Sequence, residues 1–334
     1  MKKLLLAAVV VLAMALATAG VAFADGGPHG GYTPTTDACA GCHRAHTAAG
    51  PRLLVQASVY DLCVSCHGNG GTGANTDVEN GFYLASRDDA PGGANGDVGA
   101  ANTPDNAPLL GGGFVNYGGA AVTSIHDVDP ASAATTDMAW GDGVNRGVAS
   151  PLAAGVLSCT SCHDPHGNGV YRIIRDPLNG AAVTAAQVDE AAKDYDTEGW
   201  GAGMSGICAA CHGAYHATAA GAGSDAVEAA NGGYTHRIDM PWDGDAGTDP
   251  LVGMGAANPE TVGLGGFTLP LAETGTNNTV VCMTCHLPHG TAAAMTGFAD
   301  GAFDPDGALG PIPSGDSALL RLDNRGVCEV CHQK

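Results

Sequence analysis

One five-residue pattern contains every cysteine of this 334-residue chain. The pattern is Cys-x-x-Cys-His, and we number its six copies motifs 1 to 6 in chain order. They span residues 39–43, 63–67, 159–163, 208–212, 282–286 and 328–332. No cysteine is left over, so the chemistry that needs this pattern must also organise the fold.

Three kinds of chemistry use closely spaced cysteines. Disulfides suit an exported chain with an even cysteine count, but they do not need a histidine after every second cysteine. Zinc sites also use Cys-x-x-Cys, again without requiring the adjoining histidine. Covalent c-type haem requires all three residues, because two thiols bond to the porphyrin edge and the next residue then reaches the iron. The pattern therefore predicts six covalently bound c-type haems.

In this interpretation each motif supplies two thioether bonds and one proximal iron ligand. The thioether cysteines are Cys39, Cys42, Cys63, Cys66, Cys159, Cys162, Cys208, Cys211, Cys282, Cys285, Cys328 and Cys331. The proximal histidines are His43, His67, His163, His212, His286 and His332. The other axial position of each iron needs a ligand from elsewhere.

Seven histidines remain as candidates for this distal position: His29, His46, His126, His166, His216, His236 and His289. Six irons with two histidines each use twelve of the thirteen histidines, which leaves one spare. Four of the seven closely follow a motif, in CHRAH, CHDPH, CHGAYH and CHLPH. Four residues span at most about 14 Å, so we expect these histidines to bind a different haem from their own.

Two histidine ligands close an iron to small molecules, which favours electron transfer over substrate chemistry. For any single histidine, a hydrogen bond to a propionate or to the backbone remains the alternative. Four methionines could also be axial ligands: Met138, Met204, Met240 and Met254. Since histidines suffice, we predict that these methionines are packing residues.

The composition leaves little material for a conventional core, with 52 glycines and 5% aromatic residues. Such a chain tends towards disorder unless a cofactor supplies apolar surface. Six macrocycles in residues 25–334 correspond to roughly 52 residues per haem, and their faces can replace a leucine-rich core. We predict one hexahaem domain, 25–334, that is mostly irregular coil with a few short α-helices and little β-structure, wrapped around a linear chain of haems.

The first 24 residues have the pattern of a secretory signal peptide, with Lys2 and Lys3, a short apolar run and small residues at its end. We therefore expect an exported protein without a membrane span. Removing the two lysines and no acid changes the formal charge from −21 to −23. So acidic a chain should repel nucleic acid. Acidic segments at 242–250 and 303–310 could hold calcium, although solvated loops are the alternative.

The motifs and their flanks resemble the OmcS-like family of hexahaem c-type cytochromes, which polymerise into conductive extracellular filaments. The similar stretches are CAGCHRAHT, GPRLLVQASVYDLCVSCH, SCTSCHDPHG, GMSGICAACHGAYH, VVCMTCHLPHG and RGVCEVCHQK. All six motifs occur in the same order, and His126 and His236 fall in the corresponding gaps.

The resemblance implies a continuous line of haems in alternating parallel-stacked and T-shaped pairs. It also implies that His46 crosses to a neighbouring subunit and binds the iron held there by His286. The partners would then be further copies of this chain, together with other redox proteins or extracellular electron acceptors.

Three functions follow as hypotheses. The first is an extracellular conductor that polymerises through His46, and the second is a monomeric periplasmic electron shuttle with the same ligands. The third, a multihaem reductase, would need an open iron or a Cys-x-x-Cys-Lys motif, and the sequence contains no such motif. We therefore expect an electron-transfer protein rather than an enzyme.

Overall fold

The computed structural model describes fifteen stretches of the chain. They are residues 29, 37–69, 74, 76–84, 104–129, 157–168, 170–185, 201, 203–212, 216, 236–241, 269–273, 278–296, 319–324 and 326–331. The predicted signal peptide, His332 and the two acidic segments considered for calcium lie outside these residues.

The helices of the described residues are short, and each contains cysteines of a motif. They are α1 (Asp37–Ala40), α2 (Val59–His67), α3 (Cys159–Cys162), α4 (Met204–His212), α5 (Cys282–Cys285) and α6 (Gly326–Cys331). Residues three positions apart lie on the same face of a helix, so a single turn directs both thiols of a motif to one side. The fold therefore presents each motif on a helical turn.

Hydroxyl side chains begin several of these helices. At α2, the Ser58 hydroxyl accepts a hydrogen bond from the Asp61 amide at 3.0 Å. At α3, the Ser161 hydroxyl accepts from the Ser158 amide at 3.0 Å. Such caps satisfy amide groups that have no partner within the helix, so even a one-turn helix has a defined start.

The strands are equally short. They are β1 (Thr76–Asp77), β2 (Phe82–Leu84), β3 (Pro104–Pro108), β4 (Asn116–Tyr117), β5 (Ala120–Ala121), β6 (Ser124–Ile125), β7 (Met240–Pro241), β8 (Thr279–Val280) and β9 (Gly290–Thr291). Strands β1, β2 and β3 form an antiparallel sheet, and β4–β5, β6–β9 and β7–β8 pair antiparallel. The predicted fold class, coil with few helices and little sheet, is confirmed.

Buried apolar residues form three small clusters in the described part of the chain. The largest includes Ile174, Met204 and Val281, and it joins the segment after motif 3 to α4 and α5. Met240 lies in a second cluster, and Leu269 packs against α6 in the third. Met204 and Met240 thus pack as predicted, whereas Met138 and Met254 lie outside the described residues. No described helix combines the length and apolarity that a membrane crossing requires.

Candidate haem sites

Motifs 1, 3 and 5 share one local architecture. In each, the helix ends before the motif histidine, at Ala40 in motif 1 and at the second cysteine in motifs 3 and 5. The backbone of that histidine then pairs with a segment that returns from downstream. The paired residues are His43–Leu54, His163–Ile174 and His286–Leu320. Motifs 2 and 4 differ, because their helices continue through His67 and His212.

The returning segments pass through left-handed backbone. Leu53, Ile173 and Leu319 have φ angles of 63°, 51° and 63°. This conformation is unfavourable for bulky and β-branched residues, so the surrounding structure must hold it. In motif 1 the preceding residue, Arg52, also has a positive φ, and its carbonyl accepts a hydrogen bond from His43 Nδ1 at 3.0 Å.

The same arrangement recurs in motif 3. His163 Nδ1 donates to the carbonyl oxygen of Arg172 at 2.9 Å, and Arg172 has a φ of 50°. A proton on Nδ1 leaves Nε2 as the nitrogen with a free electron pair. The strained turns therefore orient both imidazoles as metal ligands, in the way that outer hydrogen bonds hold ligating histidines generally.

An arginine lies beside each of these three motifs and donates to a carbonyl of its helix. The contacts are Arg44 Nε to Ala40 O at 3.2 Å, Arg175 to Thr160 O at 3.0 Å, and Arg321 Nε to Met283 O at 2.7 Å. Arg321 also donates to Leu110 O at 2.8 Å, and burial lowers its pKa to about 10. It remains a cation at neutral pH, so a positive charge lies beside motif 5.

Four pairs of histidine rings face each other at nearly equal separations. Their centroid distances are 6.0 Å for His29–His67, 6.3 Å for His43–His166, 6.1 Å for His126–His212 and 6.3 Å for His163–His289. A metal–imidazole bond of about 2.0–2.1 Å on each side places two in-line rings with centroids about 6 Å apart. The donor set therefore fits a metal bound between two histidines.

Each of these pairs joins one proximal histidine to one distal candidate. His166 faces the histidine of motif 1, and His289 faces the histidine of motif 3. Each of these two histidines lies three residues after the histidine of its own motif. Each faces the histidine of the motif two places earlier in the chain. Within the described ranges, no three His, Cys, Asp or Glu side chains gather into a metal site.

The other three distal candidates have different surroundings. His46 is exposed. His216 Nε2 lies 2.7 Å from a carboxylate oxygen of Asp239, and both side chains are about one-third exposed. His236 is also exposed, and its Nδ1 donates to the carbonyl oxygen of Arg237 at 2.7 Å.

Hydrogen bonds also fix the outer nitrogen of the facing rings. His29 Nδ1 donates to Pro165 O at 2.8 Å, and His126 Nδ1 donates to Pro288 O at 2.5 Å. His67 Nδ1 is 2.8 Å from the Thr76 hydroxyl. These bonds again leave Nε2 as the nitrogen available to a metal.

His289 is held by packing instead. Its buried Nδ1 makes no hydrogen bond of ordinary geometry, although the Gly112 backbone lies close enough to raise the pKa of the imidazole slightly. Its ring stacks on Phe114 with a centroid distance of 4.7 Å. Burial, followed by the neighbouring His163, lowers its pKa to about 3. Burial likewise lowers the pKa of His67 to about 4 and lowers those of His126 and His163. These imidazoles are therefore neutral at pH 7, as a metal ligand must be.

All twelve cysteines are described, and none forms a disulfide. Contacts between their thiols show that successive motifs lie side by side. A hydrogen bond joins the thiols of Cys63 and Cys159, raising the pKa of the first and lowering that of the second, and Cys208 and Cys282 are joined in the same way.

Three further cysteines show which of the remaining motifs are adjacent. The pKa of Cys42 is raised by burial and by Cys66. The pKa of Cys162 is raised to about 11 by burial and by Cys211. The pKa of Cys285 is raised to about 12 by burial and by the two cysteines of motif 6. Each motif therefore lies beside the next, from motif 1 to motif 6.

Comparison with known families adds one independent match. The profile of the doubled CXXCH motif family matches residues 33–72, which contain motifs 1 and 2. The other four motifs repeat the same cysteine and histidine spacing, and the histidines of motifs 3 and 4 lie in pairs at metal-binding separation. Six copies of this motif are the pattern typical of multihaem c-type cytochromes.

One solved structure is similar to this chain over most of its length. It is the outer membrane cytochrome S filament from Geobacter sulfurreducens, with 17% sequence identity and a TM-score of 0.44. The similarity covers 89% of this chain and 98% of that chain. No curated protein matches the sequence.

The sequence contains three successive units, a repeat that the sequence-based prediction missed. Each unit has a leading histidine, an odd-numbered motif with a histidine three residues later, and an even-numbered motif. The units span residues 29–67, 126–212 and 236–332. The signal was present in the order of the histidines and in the similar returning segments PRLLV, YRIIR and ALLRL.

The ring pairs obey this repeat. In units 1 and 2, the leading histidine faces the motif histidine that ends its own unit. In units 2 and 3, the histidine after the odd motif faces the odd motif of the preceding unit. Two rules therefore describe all four pairs, one within a unit and one between neighbouring units.

Glycines bring the segment that precedes unit 2 into contact with unit 3 at His289. Gly112 has a φ of 83° and bridges to Gly290, and a Cβ there would overlap the Gly290 carbonyl oxygen. We expect Gly112→Ala to lower the free energy of unfolding of the haem-loaded protein by about 3 kcal/mol, since backbone strain and overlap add. Denaturant titration measures this.

Gly118→Ala is the matched control, because Gly118 also has a positive φ of 59° but nothing lies within 4 Å of a Cβ there. This variant should lower the free energy of unfolding by only about 1 kcal/mol, because only the left-handed conformation opposes it. Equal losses in the two variants would show that the close approach to unit 3 contributes nothing.

Proposed function

We propose that this cytochrome carries six haems and conducts electrons along them, outside the cell and through a filament of identical subunits. The observation that carries the proposal is the set of four histidine pairs at metal-binding separation, held by motifs that follow one another in space. When bound, haem iron supplies reversible one-electron chemistry.

The chain's own residues would hold these haems as follows. Each motif provides its two thioether cysteines and its proximal histidine, including His332 at motif 6. The facing rings support His166, His29, His289 and His126 as distal ligands of haems 1, 2, 3 and 4 respectively. Irons closed on both faces carry electrons and do not bind substrates.

The rule between units gives haem 5 a ligand from another subunit. The histidine after the odd motif of units 2 and 3 faces the preceding unit, so His46 of unit 1 should face the last unit of a preceding copy. There it would bind the iron held by His286. The exposure of His46 supports this, because a joint must be accessible before assembly. Head-to-tail contacts that do not close into a ring generate filaments.

The rule within a unit assigns the last haem. The leading histidine of unit 3 is His236, which would be the distal ligand of haem 6. His216 is then the spare histidine. Its Nε2, the nitrogen that the other histidines keep for metal, is hydrogen-bonded to Asp239 at 2.7 Å. This half-buried pairing supports a structural role for His216, consistent with an extra histidine.

Three measurements on the exported protein test the proposal. We expect its mass to exceed that of the mature polypeptide by six haems, its ferric spectrum to be low-spin throughout the filament, and negative-stain images to show filaments. A mass without added haem would end the proposal. Six haems in dispersed particles would favour the monomeric periplasmic shuttle, and an appreciable high-spin fraction in intact filaments would favour a reductase.

A further inference from the structure

The leading histidines make a second contact that also follows the repeat. His29 of unit 1 donates to the carbonyl oxygen of Pro165, and His126 of unit 2 donates to that of Pro288. Both acceptors stand at the same place, two residues after the histidine of an odd motif, in CHDPH and CHLPH. In each case the acceptor belongs to the unit that follows the donor.

Unit 3 is the last of the three units. Its leading histidine, His236, is exposed and donates from Nδ1 to the adjacent carbonyl of Arg237. The residue that corresponds to Pro165 and Pro288 in unit 1 is Ala45, in CHRAH. Ala45 is exposed and immediately precedes His46, the residue proposed to cross to another subunit.

The exposure of a leucine near motif 1 is a third feature, because the corresponding residue of unit 2 is buried. Leu53, at the left-handed turn of motif 1, is 51% exposed, whereas its counterpart Ile173 in unit 2 is 8% exposed. An exposed leucine contributes no free energy of apolar burial to offset the strain of its backbone. The surface of Ala45, His46 and Leu53 therefore suits an end that a second copy covers.

We propose that this end docks on unit 3 of another copy, where the Ala45 carbonyl accepts the Nδ1 proton of His236. The proposal rests on the proposed function and extends it. Its consequence is a coupling of two haems to assembly: His46 completes haem 5, and the same docking orients the distal ligand of haem 6. A ligating imidazole depends on such an outer hydrogen bond for its orientation and basicity.

Replacing His236 with methionine tests the contact. Methionine can still bind iron but has no N–H, so it removes the hydrogen bond across the joint, together with the bond to Arg237 that the free subunit makes. Loss of one such bond should raise the concentration of free subunits in equilibrium with filaments about 2- to 12-fold. Sedimentation of filaments measures this concentration. His216→Met is the matched control and should leave it unchanged.

Electron paramagnetic resonance of His46→Ala subunits provides a second test that does not depend on methionine ligation. We expect two altered irons compared with wild-type filaments: one high-spin, and one low-spin with shifted g-values from the reoriented His236. One altered iron, or a His236→Met filament as stable as wild type, would overturn the coupling and leave the six-haem filament intact. Wild-type protein that forms no filaments would instead contradict the proposed function itself.

Discussion

A His46→Ala chain is expected to be exported as separate subunits in which one iron in six is high-spin. The exposed imidazole of His46 is the residue that the repeat directs outward, whereas its counterparts His166 and His289 face motifs of the same chain. Removing it takes away both an intermolecular metal bond and the closure of one iron. Negative-stain microscopy and the ferric spectrum report these two losses separately.

Added imidazole separates ligation from assembly in this variant. It should fill the open position and restore a low-spin spectrum, yet it cannot connect two chains, so filaments should remain absent. His216→Ala is the control, because this variant removes a histidine that also follows a motif closely but is hydrogen-bonded to Asp239. Normal filaments from the His46→Ala chain would contradict the proposed joint.

Replacing both cysteines of motif 3 by alanine should remove one haem and interrupt the chain of haems at its middle. Motif 3 lies between its neighbours, with Cys159 against Cys63 and Cys162 beside Cys211. We expect the mass to fall by one haem and the absorbance per chain to fall to about five-sixths, because six motifs become five. Conductance along the filament should fall far more than this fraction, since every electron must cross the gap.

The two readouts of this variant have distinct meanings. An unchanged haem mass would show that motif 3 does not bind haem covalently. A loss of one haem with conductance reduced only in proportion would show that electrons do not pass along the motifs in series. The His216→Ala protein is the reference for both measurements. It controls for the general effects of altering a residue near a motif.

The chemistry of this protein could be predicted from the sequence because it is local. Two thiols and an imidazole within five residues are sufficient to define covalent haem, and the glycine-rich composition excludes a large apolar core. The coil-dominated fold and its multihaem character followed directly. The histidine count also bounded the number of ligands, but it could not say which of the seven distal candidates is spare.

Only the tertiary structure brought particular histidines together. His29 contacts Pro165 across 136 positions of the chain, and His126 contacts Pro288 across 162. No periodicity in the sequence encodes contacts of that range, because they depend on how strained turns and close glycine contacts fold one unit against the next. The sequence alone predicts what each motif binds; the packing of the units decides which histidine faces it.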